Sequence, residues 1–556
     1  MKTEKRNCIK CNHDFVLEQD DFSFYEKMKV PAPHVCPDCR FKMQCLFRNE
    51  TVLYSGQKCD LCSKNIVTTY NPKSPYTVYC HECFYSDKWE SKSYAKDYDF
   101  SKSFLEQFSE LLISVPKIST YLSSGIGPNF NSEYTNMAAG CKDCYFVFNT
   151  GPAEEVLYAR GVKDGRDSMD FYFGTSFDRC YEGVNIQKSS GIIYGQNVVG
   201  SVDCYFVYNV SGLTNCFGCV NLRNKSYCWF NEQLSHEEYN NQLNEIRGSF
   251  VLMEEQKEKF KKFCSQFPKR ENNNLKSVES SGDYIYESKN VKKSFEASKA
   301  EDCKYLFSSK DIKDSLGVTG YGHKCERILE SAAIGFSSNI IGSYGMENSS
   351  NVLYGFYSTN CTDVIACDAV KNLKYAVFNK EYSKEDYEKI REHIVNELTD
   401  LDLYGLMMPP EIAPFAYNET VGMDNMPMSK EEVLAAGFRW EDEIQMTKGR
   451  ETIALSDIPD NIKDVSDSII NEILCCSKCE RNYKITEAEL LFYKKMVLPI
   501  PHQCFYCRHH DRVLRRGPYK FWHRNCAHCS KEIETNYAPD RPEIVYCEKC
   551  YQQEVL

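Results

Sequence analysis

Polar and apolar positions divide the chain into three regimes. Near each end, short mixed stretches are broken by cysteine pairs and by the proline-rich turns Pro31-Ala32-Pro33 and Pro499-Ile500-Pro501. Between the ends, apolar bursts recur about every ten residues, introduced by Asn, Asp or Cys and broken by Gly or Ser. Examples are Cys144-Tyr145-Phe146-Val147, Cys204-Tyr205-Phe206-Val207, Cys303-Lys304-Tyr305-Leu306-Phe307 and Val352-Leu353-Tyr354. Strands of three to five residues at regular spacing predict a β-solenoid, with a hairpin-built sandwich as the competitor.

This middle region is duplicated. Tyr227-Cys228-Trp229-Phe230-Asn231 with Ser235 and Glu237-Glu238-Tyr239 matches Tyr375-Ala376-Val377-Phe378-Asn379 with Ser383 and Glu385-Asp386-Tyr387, at a constant offset of 148 residues. Each copy closes on a helical pattern, Tyr239, Leu243 and Ile246 in one and Tyr387, Ile390 and Ile394 in the other. One apolar stripe per helix suits the capping of an open sheet end. The polar run from Glu254 to Lys262 reads as a continuation of the first helix with a solvated face. The stretch 404–444 reads as an extended connector with a short helix near Glu431.

The ends are read through their 16 paired cysteines. Cys8-x2-Cys11 precedes Cys36-x2-Cys39 by 24 residues, and Cys59-x2-Cys62 precedes Cys80-x2-Cys83 by 17. Cys476-x2-Cys479 and Cys504-x2-Cys507 repeat the first gap, and Cys526-x2-Cys529 and Cys547-x2-Cys550 repeat the second. Two residues between thiolates let one tight turn aim both sulfurs at an ion, and two such turns complete a tetrahedral zinc site. The expected cofactor is four structural Zn ions. Short gaps favour sequential pairing of the cysteine pairs, with an interleaved cross-brace as the alternative. A set of four thiolates leaves no coordination position for water, so structural zinc is expected rather than catalytic zinc. His34 and His502 hold matching places beside the pairs and read as neighbours of the ligands. Thr486 with Glu489 forms a capping box opening a helix toward Met496. Cys141-x2-Cys144 and Cys216-x2-Cys219 offer a fifth metal site or, more simply, small core residues.

Together these patterns predict a mostly β protein with short helices. Its duplicated, β-helix-like solenoid core is flanked at each end by tandem zinc-ribbon or treble-clef modules. The expected divisions are 1–90 (zinc modules), 91–128 (helical linker), 129–270 and 271–400 (solenoid repeats with closing helices), 401–474 (connector) and 475–556 (zinc modules).

Composition narrows the function. The 556 residues include 42% apolar and 13% aromatic residues, enough for sizeable cores. No run approaches the roughly 18 apolar residues of a membrane span. The opening MKTEKRNCIK lacks the apolar stretch of an export signal, so a reducing, cytoplasmic setting is expected for 30 cysteines. Net charge is −12, distributed as +1 over residues 1–90, +4 over 475–556 and −17 over the rest. Arg508, Arg512, Arg515, Arg516, Lys520 and Arg524, with Trp522 among them, form a candidate surface for nucleic acid, meaning RNA, DNA or the ribosome. Arg40, Lys42 and Arg48 form a weaker counterpart. Alternatively the cations screen the thiolate charge, which four zinc sites bring to about −8 in total, and the modules bind a protein partner. A carbohydrate-active or other solenoid enzyme is the third reading, although no G-x-S-x-G, Walker, Rossmann or H-E-x-x-H arrangement occurs. The sequence leaves oligomeric state open.

Several stretches resemble an uncharacterised family of large zinc-binding proteins from environmental bacterial genomes. They are Cys36-Pro37-Asp38-Cys39-Arg40, Val78-Tyr79-Cys80-His81-Glu82-Cys83, Cys216-Phe217-Gly218-Cys219, Pro414-Phe415-Ala416-Tyr417-Asn418-Glu419-Thr420 and the run from Tyr537 to Cys547. The resemblance spans most of the chain. It implies zinc-bearing ends around a Tyr- and Cys-rich repeat and implies no activity. The repeats here carry fewer cysteines than that family's, which argues against metal in the middle.

Overall fold

The computed structural model describes residues 3–122 and 127–555; the end of the expected 91–128 linker, at 123–126, lies outside the described residues. The protein is mostly strand with short helices.

Two sheets carry the middle region, nine strands within residues 135–233 and eleven within 282–381. Pairing is parallel along both, and one antiparallel pair closes each, at Cys228–Trp229 with Glu232–Gln233 and at Lys374–Val377 with Lys380–Glu381. Parallel neighbours cannot be joined by tight hairpins. The register advance is twelve residues: Met169 pairs with Tyr181, Ser190 with Val202, Ser350 with Thr362. One inserted residue makes it thirteen where Ile312 meets Cys325. The ten-residue spacing expected from the apolar bursts is therefore corrected to twelve.

The side-chain period is three rather than the usual two. Cys204, Val207, Val210, Leu213, Cys216 and Cys219 follow at three-residue intervals and all are buried in one core. The residue before each adopts a left-handed corner: Asp203, Phe206, Asn209 and Asn215 at φ of +50° to +51°, and Gly212 and Gly218 at +63° and +69°. Such a corner costs a non-glycine residue roughly 1–2 kcal/mol, least for Asn and Asp. Stacking between rungs offsets that cost. Corner amides bond to the corner twelve residues on, as in Asn185 to Asn197 (2.8 Å), Asn209 to Asn221 (2.8 Å) and Asn351 to Asp363 (2.9 Å). This explains the regular Asn and Asp before each burst.

A rung with three residues per side leaves room only for small inward groups. Inward serines satisfy themselves across rungs: Ser189 accepts from Ser201 N (3.1 Å), and Ser331 accepts from Ser343 N (3.1 Å). Where phenylalanine enters, glycine faces it. Phe171 and Phe177 stack at 4.0 Å, and a Cβ on Gly183 would lie 2.5 Å from the Phe171 ring. Gly183→Ala should thus cost about 1–3 kcal/mol through overpacking. Gly200→Ala, at a corner (φ +58°) with no atom near its Cβ position, should cost about 1 kcal/mol through backbone strain alone. Urea denaturation of the two variants separates packing from strain.

Helices His236–Ile246 and Lys384–Asp400 bury the expected residues, Tyr239, Leu243, Ile246 and Tyr387, Ile390, Ile394. The polar run 254–262 does not continue the first helix. It belongs to a separate helix, Phe250–Cys264, begun anew after Gly248 (φ +85°) and capped by Ser249, whose hydroxyl accepts from Leu252 N. The short helix near Glu431 is Lys430–Ala435, with a capping box of Ser429 and Glu432. The connector around it packs Tyr404, Met407, Phe415 and Tyr417 into the core shared by the N-terminal end and the second sheet.

The ends dock crosswise. Helix Pro37–Cys45, near the N-terminus, lies on strands Ile312–Tyr321 and Cys325–Ile334 of the second sheet. Helix Phe505–Arg516, near the C-terminus, lies on strands Ala153–Asp178 and Tyr181–Val199 of the first.

Candidate metal centres

Sixteen thiols converge in four groups: Cys8, Cys11, Cys36, Cys39; Cys59, Cys62, Cys80, Cys83; Cys476, Cys479, Cys504, Cys507; and Cys526, Cys529, Cys547, Cys550, with the sulfurs of each group within 4.8 Å of one another. Membership is sequential, not interleaved.

Each group is assembled from the same local parts. The first pair sits on a knuckle whose backbone closes on itself: Cys8 N donates to His13 O (2.9 Å), and Asn12 N to Cys8 O (2.9 Å). The same two bonds recur around Cys59, Cys476 and Cys526. The fifth residue of every knuckle is left-handed, at Asn12, Ser63, Glu480 and Ser530, with φ between +58° and +62°. In the second pair, Cys36, Cys80 and Cys504 are the N-caps of helices, and Cys547 immediately precedes helix Glu548–Val555. Helix N-termini favour thiolate over thiol.

Sulfur separations identify what the groups can hold. Cys11–Cys36, Cys479–Cys504 and Cys529–Cys547 are 3.7 Å apart and Cys62–Cys80 is 3.9 Å. A disulfide needs about 2.05 Å. The edge of a tetrahedron with metal–sulfur bonds of about 2.3 Å is about 3.8 Å. The sulfurs therefore already stand at a metal's spacing. Backbone amides complete the surroundings: Cys36 N, Cys80 N and Cys547 N donate to Cys8, Cys59 and Cys526 Sγ, each at 3.2 Å. Burial pushes the Cys526 thiol up, but the amides of Cys529, Cys547 and His528 outweigh it and bring it down to about 6. Cys476 is drawn to about 7 against burial by the amides of Cys504, Lys478 and Cys479.

Neither flanking histidine joins a group. His34 Nδ1 meets Asp402 Oδ1 at 3.1 Å, and the His502 ring stacks on Phe250 at 3.6 Å. Among the described residues the middle cysteines form no fifth cluster. Cys141, Cys144, Cys216 and Cys219 are inward rung residues whose thiols face backbone carbonyls.

The candidate nucleic-acid surface is largely internal. Arg508 and Arg512 share Asp170, at 2.8 and 3.0 Å, and Arg512 and Arg515 share Glu182, at 3.3 and 2.9 Å. Arg516 Nη1 donates to Tyr172 Oη and Asn425 Oδ1, each at 3.0 Å. Arg508, Arg512 and Arg516 are buried, so no phosphate reaches them, and Arg515 is mostly covered. Arg524 is half-buried and donates to Ala538 O and Glu543 O. Lys520 is exposed, with its ammonium 5.4 Å from the half-buried Trp522 ring.

The N-terminal end repeats the device. Arg40 Nη1 pairs with Glu330 at 2.9 Å, and Gln44 Nε2 donates to the same carboxylate at 2.6 Å. Glu182 and Glu330 are 148 residues apart, the offset of the duplicated middle. Arg40, Gln44 and Arg48 match Arg508, Arg512 and Arg516, each set spaced by four residues and so facing one side of its chain. That spacing beside matched cysteines is the signal that could have marked them as docking residues. Burial raises the Glu182 carboxyl, yet Arg512 and Arg515 outweigh it and hold it below the ordinary range.

A neutral docking contact gives a pH prediction. Asp283 of the second sheet accepts from Asn273 N (2.6 Å) and from Asn536 Nδ2 (2.7 Å) of the C-terminal end, and burial pushes it up to about 6. A carboxyl raised in the folded state favours folding below its free value near 4, and that contribution is lost as pH rises through 6. From pH 5 to 7 the loss is ~1 kcal/mol. Asp283→Asn should remove it, measured as the change in the wild-type-minus-variant stability difference between those two pH values.

The chain matches no protein-family model and no curated protein.

Proposed function

We propose that the protein is a structural-zinc scaffold. Two duplicated β-solenoids of twelve-residue coils form its body, and paired treble-clef-like zinc modules clip each end of the chain onto the opposite solenoid. The carrying observation is the sulfur spacing, which fits a tetrahedral ion held entirely by thiolates. Such an ion is structural, because no position is open to water or substrate. Reduced thiols in this number fit a reducing, intracellular setting, and the resemblance to the large zinc-binding family agrees with the architecture.

A protein partner is favoured over nucleic acid as the scaffold's cargo. Arg508, Arg512 and Arg516 serve internal ion pairs, leaving Lys520 and Trp522 as the main exposed remnant of the basic cluster. Titration with single-stranded RNA at physiological salt should give only weak binding. The same weak affinity should persist in Lys520→Ala/Trp522→Ala. Tight binding that falls steeply with salt and is lost in that variant would instead establish the nucleic-acid reading. The zinc half is tested by metal analysis of the native, reduced protein, with four zinc ions per chain expected from the four groups.

A further inference from the structure

At the end of helix Phe250–Cys264 a thiol and an amine meet outside every metal group. Lys269 Nζ donates to Cys264 O (3.1 Å), where a cation suits the helix C-terminus, and to Cys264 Sγ (2.8 Å). An N–H donor ordinarily stands roughly 2.7–3.2 Å from an oxygen acceptor. Sulfur is larger than oxygen, so at this separation the two side chains are pressed together.

Each partner is held independently of the other. Lys269 N donates to Ile544 O (2.7 Å), its strand pairs with Val545–Tyr546, and its ammonium lies 3.7 Å from the centre of the Tyr208 ring. Cys264 is fixed by its helix, which buries Met253 and Phe260.

The amine lacks the usual counter-ion. Lys269 is 6% exposed, and a buried cation is costly without a partner. Among the described residues no carboxylate pairs with it. The Glu543 carboxylate, whose charge reaches both groups, is paired with Arg541 instead. The Cys264 sulfur takes the vacant place. Burial pushes this thiol up, and Lys269 offsets part of the rise.

The sulfur is also open to a small oxidant, because Cys264 is only half-buried. Among the described residues no second thiol bonds to it. Oxidised sulfur here therefore finds an amine beside it and no disulfide partner.

We propose that Cys264 and Lys269 form a redox modification site, joined by dioxygen into a covalent S–O–N bridge. One S–H and one N–H bond break, an S–O and an O–N bond form, and the two hydrogens leave as water with the second oxygen atom. Sulfur and nitrogen each give two electrons to the dioxygen. A direct S–N bond would require the atoms to close much further, against the strand pairing that pins Lys269. The bridge ties the helix end to the strand beside Val545–Tyr546, which leads into the ligand Cys547.

The test holds the full-length, zinc-loaded protein in air-saturated buffer, with an anaerobic sample as control. Free thiols are then alkylated and the chain is digested with trypsin without reductant. A blocked Lys269 is no longer cleaved, so the expected product is peptide 263–270, heavier than its unmodified sequence by one oxygen less two hydrogens. Cys264 is the only cysteine in that peptide, which separates this event from any oxidation of the metal groups. Dithiothreitol should restore the free thiol and cleavage after Lys269. Lys269→Arg keeps a cation at the helix end but has no amine to bridge, and it should lose the product completely while keeping its zinc and circular dichroism. Complete alkylation of Cys264 after air exposure would overturn the proposal. So would a peptide that gains only whole oxygens, one that loses two hydrogens without gaining oxygen, or the expected mass change persisting in Lys269→Arg.

Discussion

Stripping metal from the reduced protein should unfold both ends and with them the covers of both sheets. The expected result is loss of four zinc ions per chain, one for each thiol group, with a fall in melting temperature larger than any single substitution produces. The ends have little regular structure of their own, and their apolar side chains pack against the sheets and the connector. Their strands are two to five residues long, and the helix His81–Phe84 has a single turn. Small modules of this size depend on metal, and a structural zinc contributes ~10–16 kcal/mol of apparent binding free energy. Without the ion, each group becomes four thiols or thiolates forced to within 4.8 Å, which like-charge repulsion opposes. Helix Phe505–Arg516 begins at the ligand Cys504, so loss of the ion also frees the helix that carries Arg508, Arg512 and Arg516. Cys504→Ser/Cys507→Ser isolates this effect. It should lower zinc by one ion per chain, and proteolysis should then cut first within the C-terminal end. Unchanged zinc content or an unchanged melting temperature would refute the assignment.

How much of this could be read from the chain depends on how local the physics is. The thiol groups were legible because a two-residue knuckle fixes its geometry within six residues, and each loop between pairs is short. Cys8 through Cys39 needed no distant partner. The closing helices were legible for the same reason, since Tyr239, Leu243 and Ile246 declare a face by spacing alone. The period of the middle was blurred because a three-residue side admits Ser, Gly, Ala and Cys inward as readily as Val or Ile. Ser189, Gly195 and Ser201 are inward positions that look polar or neutral in sequence, whereas Phe206 and Tyr194 occupy left-handed corners and are buried against Phe260 of helix Phe250–Cys264 rather than inside the rungs. Apolar bursts therefore sampled only some sides of each rung. The role of the arginines was not legible, since Asp170 and Glu182 lie more than 300 residues from Arg508 and Arg512. A basic stretch followed by aromatics suggests phosphate until the folded chain supplies a buried carboxylate.

Those carboxylates carry the second large effect. Asp170→Asn should destabilise the protein by ~3–5 kcal/mol, the range for breaking a buried ion pair from one side, and by more than Arg512→Met. The asymmetry follows from the wiring. Asp170 is the shared partner of Arg508 and Arg512, and both it and Arg512 are fully buried. Neutralising it leaves Arg508 with only Glu489, at 4.0 Å, and Arg512 with only the Glu182 carboxylate that Arg515 already shares, so two buried guanidinium groups lose their nearest counter-ion. Losing Arg512 leaves Asp170 with Arg508 and Glu182 with Arg515, so no charge is stranded. The backbone does not confuse the comparison, because Asp170 sits at a left-handed corner (φ +62°) that asparagine also accepts. In the double variant Asp170→Asn/Arg512→Met, one of the two under-compensated cations is gone, and part of the loss should return. Zinc content should stay at the wild-type value in all three, since none touches a thiol. Urea denaturation, metal analysis and limited proteolysis together distinguish an undocked but metal-loaded end from an unfolded one. If Asp170→Asn proved no worse than Arg512→Met, the shared carboxylate would not be the anchor of the crosswise docking.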